Sequence, residues 1–166
     1  MLKQDRFLTG ILIGIAVLVA IALALYFVRR EEAVYQSEDT PAGVVHNFVL
    51  ALHNGEYEKA HSYLAETSHK PRLAAFRQPF ISRQLDIRAN SLQIGETDLN
   101  GEEAIVAVTI VHASNNPFEN VYHTPESVTL VQQDGQWRIS ALPYPYWYWE
   151  WEQPRLPMTE PEILEN

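Results

Sequence analysis

Thr40–Ala65, TPAGVVHNFVLALHNGEYEKAHSYLA, encodes two helices in quick succession. Thr40 carries a side-chain oxygen that can accept from an early helical N–H. Pro41 suits the first helical position, where its φ is already set and no donor is missed. Val44, Val45, Phe48, Val49 and Leu52 then repeat on one face, and Asn54-Gly55 supplies the left-handed residue that stops a helix. A second helix follows at once, with Tyr57, Ala60, His61 and Leu64 on one face. A third starts near Pro71 and uses Leu73, Phe76 and Phe80. Pro79 lacks a donor and crowds the preceding turn, so it must kink or end that helix.

Further along, the pattern changes to strands. Leu85–Ile94 is mixed and reads as irregular. Asp98-Leu99-Asn100-Gly101 is a turn. Ala104–His112, AIVAVTIVH, is β-branched and apolar at successive positions, which predicts a central strand covered on both faces. Ser114–Asn120 reads as a loop, and Val121–Gln133 as a strand region interrupted by Pro125. Asp134-Gly135 is the strongest hairpin signal in the chain. Gln136–Leu142 closes that hairpin, with Trp137, Ile139 and Ala141 expected on one face. Helices first and a meander after make an α+β layout.

This order of elements resembles the NTF2-like, cone-shaped α+β family over Thr40 to about Trp147. The stretches that carry the resemblance are TPAGVVHNFVLALHNGEYEKAHSYLA and DGQWRISALPYPYW. The helix–Asn-Gly-Glu-Tyr–helix portion is also similar to the NTF2-like module of some membrane-anchored penicillin-binding proteins, without their catalytic domain. The resemblance implies about three helices packed on a curved antiparallel sheet, with a pocket between them. It does not carry function, because that fold hosts isomerases, dehydratases, transport factors and inert spacers alike.

Upstream lies Phe7–Val28, FLTGILIGIAVLVAIALALYFV, with no charge and with 14 of its 22 residues Leu, Ile, Val or Phe. As a helix it would span about 33 Å, enough for a hydrocarbon core of about 30 Å. The competing reading is a cleaved signal peptide ending at Ala22-Leu23-Ala24, but the apolar run exceeds the roughly 7–15 residues of such a core. The expectation is a single-pass transmembrane helix over 7–28, with residues 1–6 cytoplasmic and a linker over 29–39. The domain, residues 40–151, would then be extracytoplasmic, in the cell envelope of a bacterium, with a Pro-rich acidic tail over 152–166. Gly10, Gly14, Ala16, Ala20 and Ala24 share an arc of the helix. Small residues there would let a second helix approach, unless the arc is simply the common use of Gly and Ala in such segments.

Charge narrows the partners. The whole chain carries −9. Four of its 12 Lys/Arg and one of its 21 Asp/Glu precede Glu31, so the remainder carries −12. Nucleic acid is therefore not an expected partner. The chain has no cysteine, which excludes disulfides, thiolate metal sites and cysteine nucleophiles.

Within the resemblance, enzymes on such a scaffold use carboxylates or histidines inside the cone, with pKa values shifted by an apolar wall. Asp86, His112 and His123 are the weak catalytic candidates. The alternative is an acid at a strand start and two histidines on a wet edge. No metal-ligand spacing is present, since His46 and His53 lie seven apart with no ligand between them, and no cofactor is implied. Lys70, Arg72, Arg77, Arg83 and Arg88 form a basic stripe, either facing anionic lipid or paired with the domain's own acids. Tyr146, Trp147, Tyr148, Trp149 and Trp151 alternate in an extended chain. One face could close the domain while the other meets a protein partner, the bilayer interface or a glycan. Together these features predict a non-catalytic single-pass accessory or scaffold protein, a small subunit of a membrane assembly. Its partners would be the lipid bilayer and an integral membrane protein or a second copy of itself. The alternatives are a cell-wall-binding envelope protein, and a small-molecule enzyme or carrier using the pocket.

Overall fold

The computed structural model describes residues 6–29, 34–112 and 121–152. The chain divides into two units, Met1–Val34 and Tyr35–Asn166.

The first unit contains helix α1, Arg6–Arg29. Its side chains are described over residues 9–24. Gly10, Gly14, Ala16, Ala20 and Ala24 are exposed there, as are Ile11, Leu12, Leu18 and Ile21. A Cβ added at Gly10 or Gly14 would meet nothing within 4 Å. Among the described residues, no helix is long and apolar enough to cross a membrane. This corrects the expected anchor over 7–28, and with it the single-pass, cell-membrane and extracytoplasmic assignments.

The second unit is α+β: helices α2 (Pro41–Asn54), α3 (Tyr57–Ser62) and α4 (Leu73–Ile81) precede a four-stranded antiparallel sheet. The strands β1 (Asn90–Asn100), β2 (Glu103–His112), β3 (Tyr122–Gln133) and β4 (Gln136–Ala141) lie in chain order. Helix α2 begins and ends as its caps dictate. The Thr40 side chain accepts from the Gly43 N–H, and Gly55 adopts φ 75° at the C-terminus. Helix α2 lies on one face of the sheet and touches β1, β2 and β4. There Val44, Val45, Phe48 and Leu52 are buried against Val106, Val128, Leu130 and Ile139. Each such side chain contributes about 1.5–3 kcal/mol by leaving water.

Tyr35–Asp39, expected as linker, is packed onto α2. Asn47 is fully buried. Its Oδ1 accepts from the Gln36 N–H at 2.7 Å and its amide donates to the Gln36 carbonyl at 2.9 Å. Gly43 makes room for this strap, since a Cβ there would stand 2.0 Å from the Ser37 carbonyl oxygen. The Tyr63 hydroxyl donates to Glu38, and the Tyr35 hydroxyl donates to Glu56.

Four details of the sheet differ from the pattern expected. Strand β1 forms where an irregular segment and a turn were anticipated, and it carries a bulge between Ile94 and Thr97. Strand β2 alternates, with Ala104, Val106, Val108 and Ile110 buried but Ile105 51% exposed, because the helices cover one face only. Pro125 does not interrupt β3. It pairs with Thr109 at a level beyond the last β4 partner, where no ladder bond to a fourth strand is needed. A bulge in the β3–β4 pair pairs Thr129 with Ala141, so Ala141 faces out while Leu142 is buried. The Asp134-Gly135 hairpin forms as expected, with φ 53° and 75°, the two positive values of a type I′ turn.

Leu64, expected in the second helix, instead forms a parallel bridge with Ile139. The Ala65 N–H donates to the Ile139 carbonyl, and the Ile139 N–H to the Tyr63 carbonyl, both at 2.8 Å. This short segment covers the outer edge of β4, which would otherwise present unpaired backbone groups.

Candidate binding clefts

The three catalytic candidates are not brought together. In the β2–β3 register His112 pairs with Tyr122, and His123 pairs with Val111. Neighbouring positions on a strand point to opposite faces, so the two histidines lie on opposite sides of the sheet. His112 bonds Thr124 Oγ1 at 3.1 Å and stacks obliquely near Tyr122. Asp86 serves its own loop, where its Oδ1 accepts from the Arg88 N–H and its carbonyl accepts from the Asn90 amide. Among the described residues, no group of three or more His, Asp or Glu could hold a metal ion. His61 bridges helices, its Nε2 2.7 Å from the Pro71 carbonyl and its ring edge-on to Phe76.

The basic stripe divides. Lys70 is mostly buried, with Nζ 2.5 Å from Glu66 Oε1 and 3.1 Å from the Leu64 carbonyl. That contact lowers the Glu66 pKa. Arg72, Arg77, Arg83 and Arg88 are exposed and have no carboxylate partner among the described residues.

The aromatic segment is not extended. After a cis Tyr144–Pro145 bond it turns and enters a short 3-10 helix, Trp149–Glu152. The expected two-faced alternation is replaced by a gradient of burial. Tyr146 is fully buried in the core, Trp147, Tyr148 and Trp151 are half-buried, and Trp149 is 61% exposed. Trp151 lies 5.4 Å from Phe76, 6.3 Å from Phe80 and 4.9 Å from Trp147, edge-on to the last, which ties the segment to α4. Burial without a polar partner pushes the Tyr146 pKa up to about 12.

Two clefts flank α4. One, of about 380 Å3, lies between α4 and the aromatic segment, lined by Pro71, Ala75, Gln78, Gln84, Tyr148 and Trp151, with Pro79 and Glu150 completing it. The other, of about 340 Å3, lies where α2 ends. Its polar lining includes His53, Arg83, Asp86 and Arg88, and its apolar wall includes Tyr57, Phe80 and Ile81. Partial desolvation lowers the His53 pKa, although the residue is exposed. No strand residue lines either cleft. The space between helices and sheet, where a pocket was expected, holds Phe48, Phe76, Trp137 and Tyr146 instead. Neither cleft was legible in the sequence as a cleft, although Tyr148 and Trp151, and Arg83 and Arg88, were singled out by type.

No family model matches the chain, and no curated protein matches it. Among solved structures it is similar to a SEC-C motif containing protein from Rhodopseudomonas palustris, solved in solution. That likeness has 9% identity and a TM-score of 0.47, and covers 64% of this chain and 79% of that one. Nothing about activity follows from a likeness at that level. The NTF2-like assignment, with its similarity to the penicillin-binding-protein module, is corrected accordingly. No family model matches the chain, and the space between helices and sheet where that family's pocket was expected holds buried side chains. The supported class is an α+β domain with a four-stranded antiparallel sheet.

Proposed function

We propose that this domain is a non-catalytic binding module, an accessory or scaffold unit whose contact surface is the cleft between α4 and the aromatic segment. The observation that carries this reading is Trp149. Its ring is 61% exposed, beside a cleft walled by Tyr148 and Trp151. A large aromatic ring held in water is costly for a fold that has no use for it, and Trp and Tyr are the side chains that anchor protein contacts. Gln78, Gln84 and Glu150 provide a polar rim around the aromatic wall. The partner expected is a protein segment that inserts an apolar or proline side chain between Tyr148 and Pro79.

The test is a photo-reactive amino acid placed at Gln78 in the full chain, in the cells that make it, with the same group at Ile105 on the open sheet face as control. The expected result is one discrete adduct from position 78, absent from position 105 and lost when Trp149→Ala is added. Adducts of equal yield from both positions, or none from position 78, would overturn the proposal. The same wall of aromatic rings and amides has the chemistry of a saccharide site. An adduct that resists protease but yields to glycan hydrolysis would select that occupant instead.

A further inference from the structure

The cleft at the end of α2 holds a different chemistry, and its most telling feature is Arg83. Arg83 stands just past the C-terminus of α4 with φ 58°, where its N–H donates to the Phe80 carbonyl. That is the left-handed position at which helices ordinarily place glycine. A side chain there costs about 1 kcal/mol relative to glycine. Strained residues of this kind cluster at active sites and ligand clamps. The Arg83 side chain lines a cleft together with Arg88 and His53. Neither guanidinium has a carboxylate partner among the described residues, in a domain that carries far more acid than base. Asp86 is the one carboxylate in the lining, and one of its oxygens is already engaged by the Arg88 N–H.

We propose that this cleft binds a small organic anion, through a phosphoryl or carboxylate group held by Arg83 and Arg88 and a flat apolar body laid against Tyr57, Phe80 and Ile81. The guanidinium fork matches two oxygens of such a group and stays charged at any physiological pH. The apolar half is built by the stacked Tyr57–Phe80 pair, 6.1 Å between centroids, and by Ile81, which is 55% exposed. A volume of about 340 Å3 lies in the range of small-molecule sites, roughly 300–1,000 Å3. Favourable placement of arginines at helix C-termini is the other use such residues have. It does not require a strained residue, because an arginine within the last turn would serve equally.

The experiment titrates the full chain with phenyl phosphate and with benzoate, following backbone amide NMR shifts, with inorganic phosphate as a third probe. Saturable shifts confined to residues 53–57 and 80–88 are expected with at least one of the two aromatic anions, and weaker ones with inorganic phosphate. Whichever anion binds more tightly identifies the headgroup. Arg83→Gly and Arg88→Gln should each weaken binding by about tenfold or more, the loss of a charge-assisted hydrogen bond. Arg72→Gln, outside the cleft, should change nothing. Arg83→Gly should also melt at or above the parent temperature, which separates loss of the ligand contact from loss of the fold. Absence of saturable shifts in that region with both aromatic anions, or undiminished affinity in both cleft variants, would overturn the proposal.

Discussion

Tyr146→Phe removes one oxygen from the centre of the domain. Tyr146 is fully buried, and its hydroxyl has no hydrogen-bond partner among the described residues. Placing a hydroxyl in such a site costs about 1–3 kcal/mol, while the phenyl ring retains its packing. The Phe variant should therefore be more stable than the parent by about 1 kcal/mol at neutral pH. For a domain of this size that is a rise of about 4 °C in melting temperature. The pH dependence gives a second, independent reading. Burial raises the Tyr146 pKa from 10.0 to about 12. The group is neutral when unperturbed below its unfolded pKa, so its contribution is constant there. Between 10.0 and about 12 the unfolded chain ionises while the folded one does not, and stability falls. The loss reaches about 2 kcal/mol at the upper end of that window. Urea midpoints measured for both proteins from neutral pH into that window should show a gap that starts near 1 kcal/mol and widens to about 3 kcal/mol. Tyr63, which is also raised by burial and by its bond to Glu38, is common to both and cancels. A Phe variant less stable than the parent at neutral pH, or a gap that stays flat with pH, would refute the reasoning.

The two outer tryptophans should separate in a thermal melt. Trp151→Ala loses contacts to Phe76, Phe80 and Trp147 from a half-buried ring and should cost about 2 kcal/mol, below the 3–5 kcal/mol of a fully buried one. Trp149→Ala should change stability by less than about 0.5 kcal/mol, and a drop as large as that for Trp151 would place its ring in the core. Gly43→Ala should detach the Tyr35–Asp39 strap, because the new Cβ would stand 2.0 Å from the Ser37 oxygen. A loss of about 2 kcal/mol or more in chemical denaturation is expected, accompanied by rapid hydrogen exchange at the Gln36 amide. A protected Gln36 amide in a fully stable variant would count against the strap as drawn.

Much of the domain's local structure is written in short stretches of its sequence. Thr40-Pro41 and Asn54-Gly55 bound α2, and Asp134-Gly135 closes a hairpin, because each depends on the φ preferences of the residue in place. Leu64 and Ala141 were misplaced, since an edge bridge to β4 and a bulge opposite Thr129 arise only once strands pair. The strap over α2 has a local signal in the sequence. A polar Asn47 sat on an apolar helix face one turn from Gly43, and both are explained by a chain segment lying against them.

The candidate sites were legible by residue type and illegible by arrangement. The aromatic cluster and the arginine stripe stand out as composition, yet a 3-10 turn breaks the alternation expected of the first, and of the second only Arg83 and Arg88 share a cleft. His112 and His123 show why. Both are catalytic candidates by residue type, and the register puts them on opposite faces of the sheet. The sequence by itself determined where α2 begins and ends, which hairpin closes tightly and that the layout is α+β, because these follow from dihedral preference and periodicity within a few residues. Only the tertiary structure decided which side of the sheet is covered, that Tyr146 fills the interior while Trp149 stays in water, and which arginines share a cleft. Those outcomes depend on strand register, and a shift of one residue there sends every side chain to the other face.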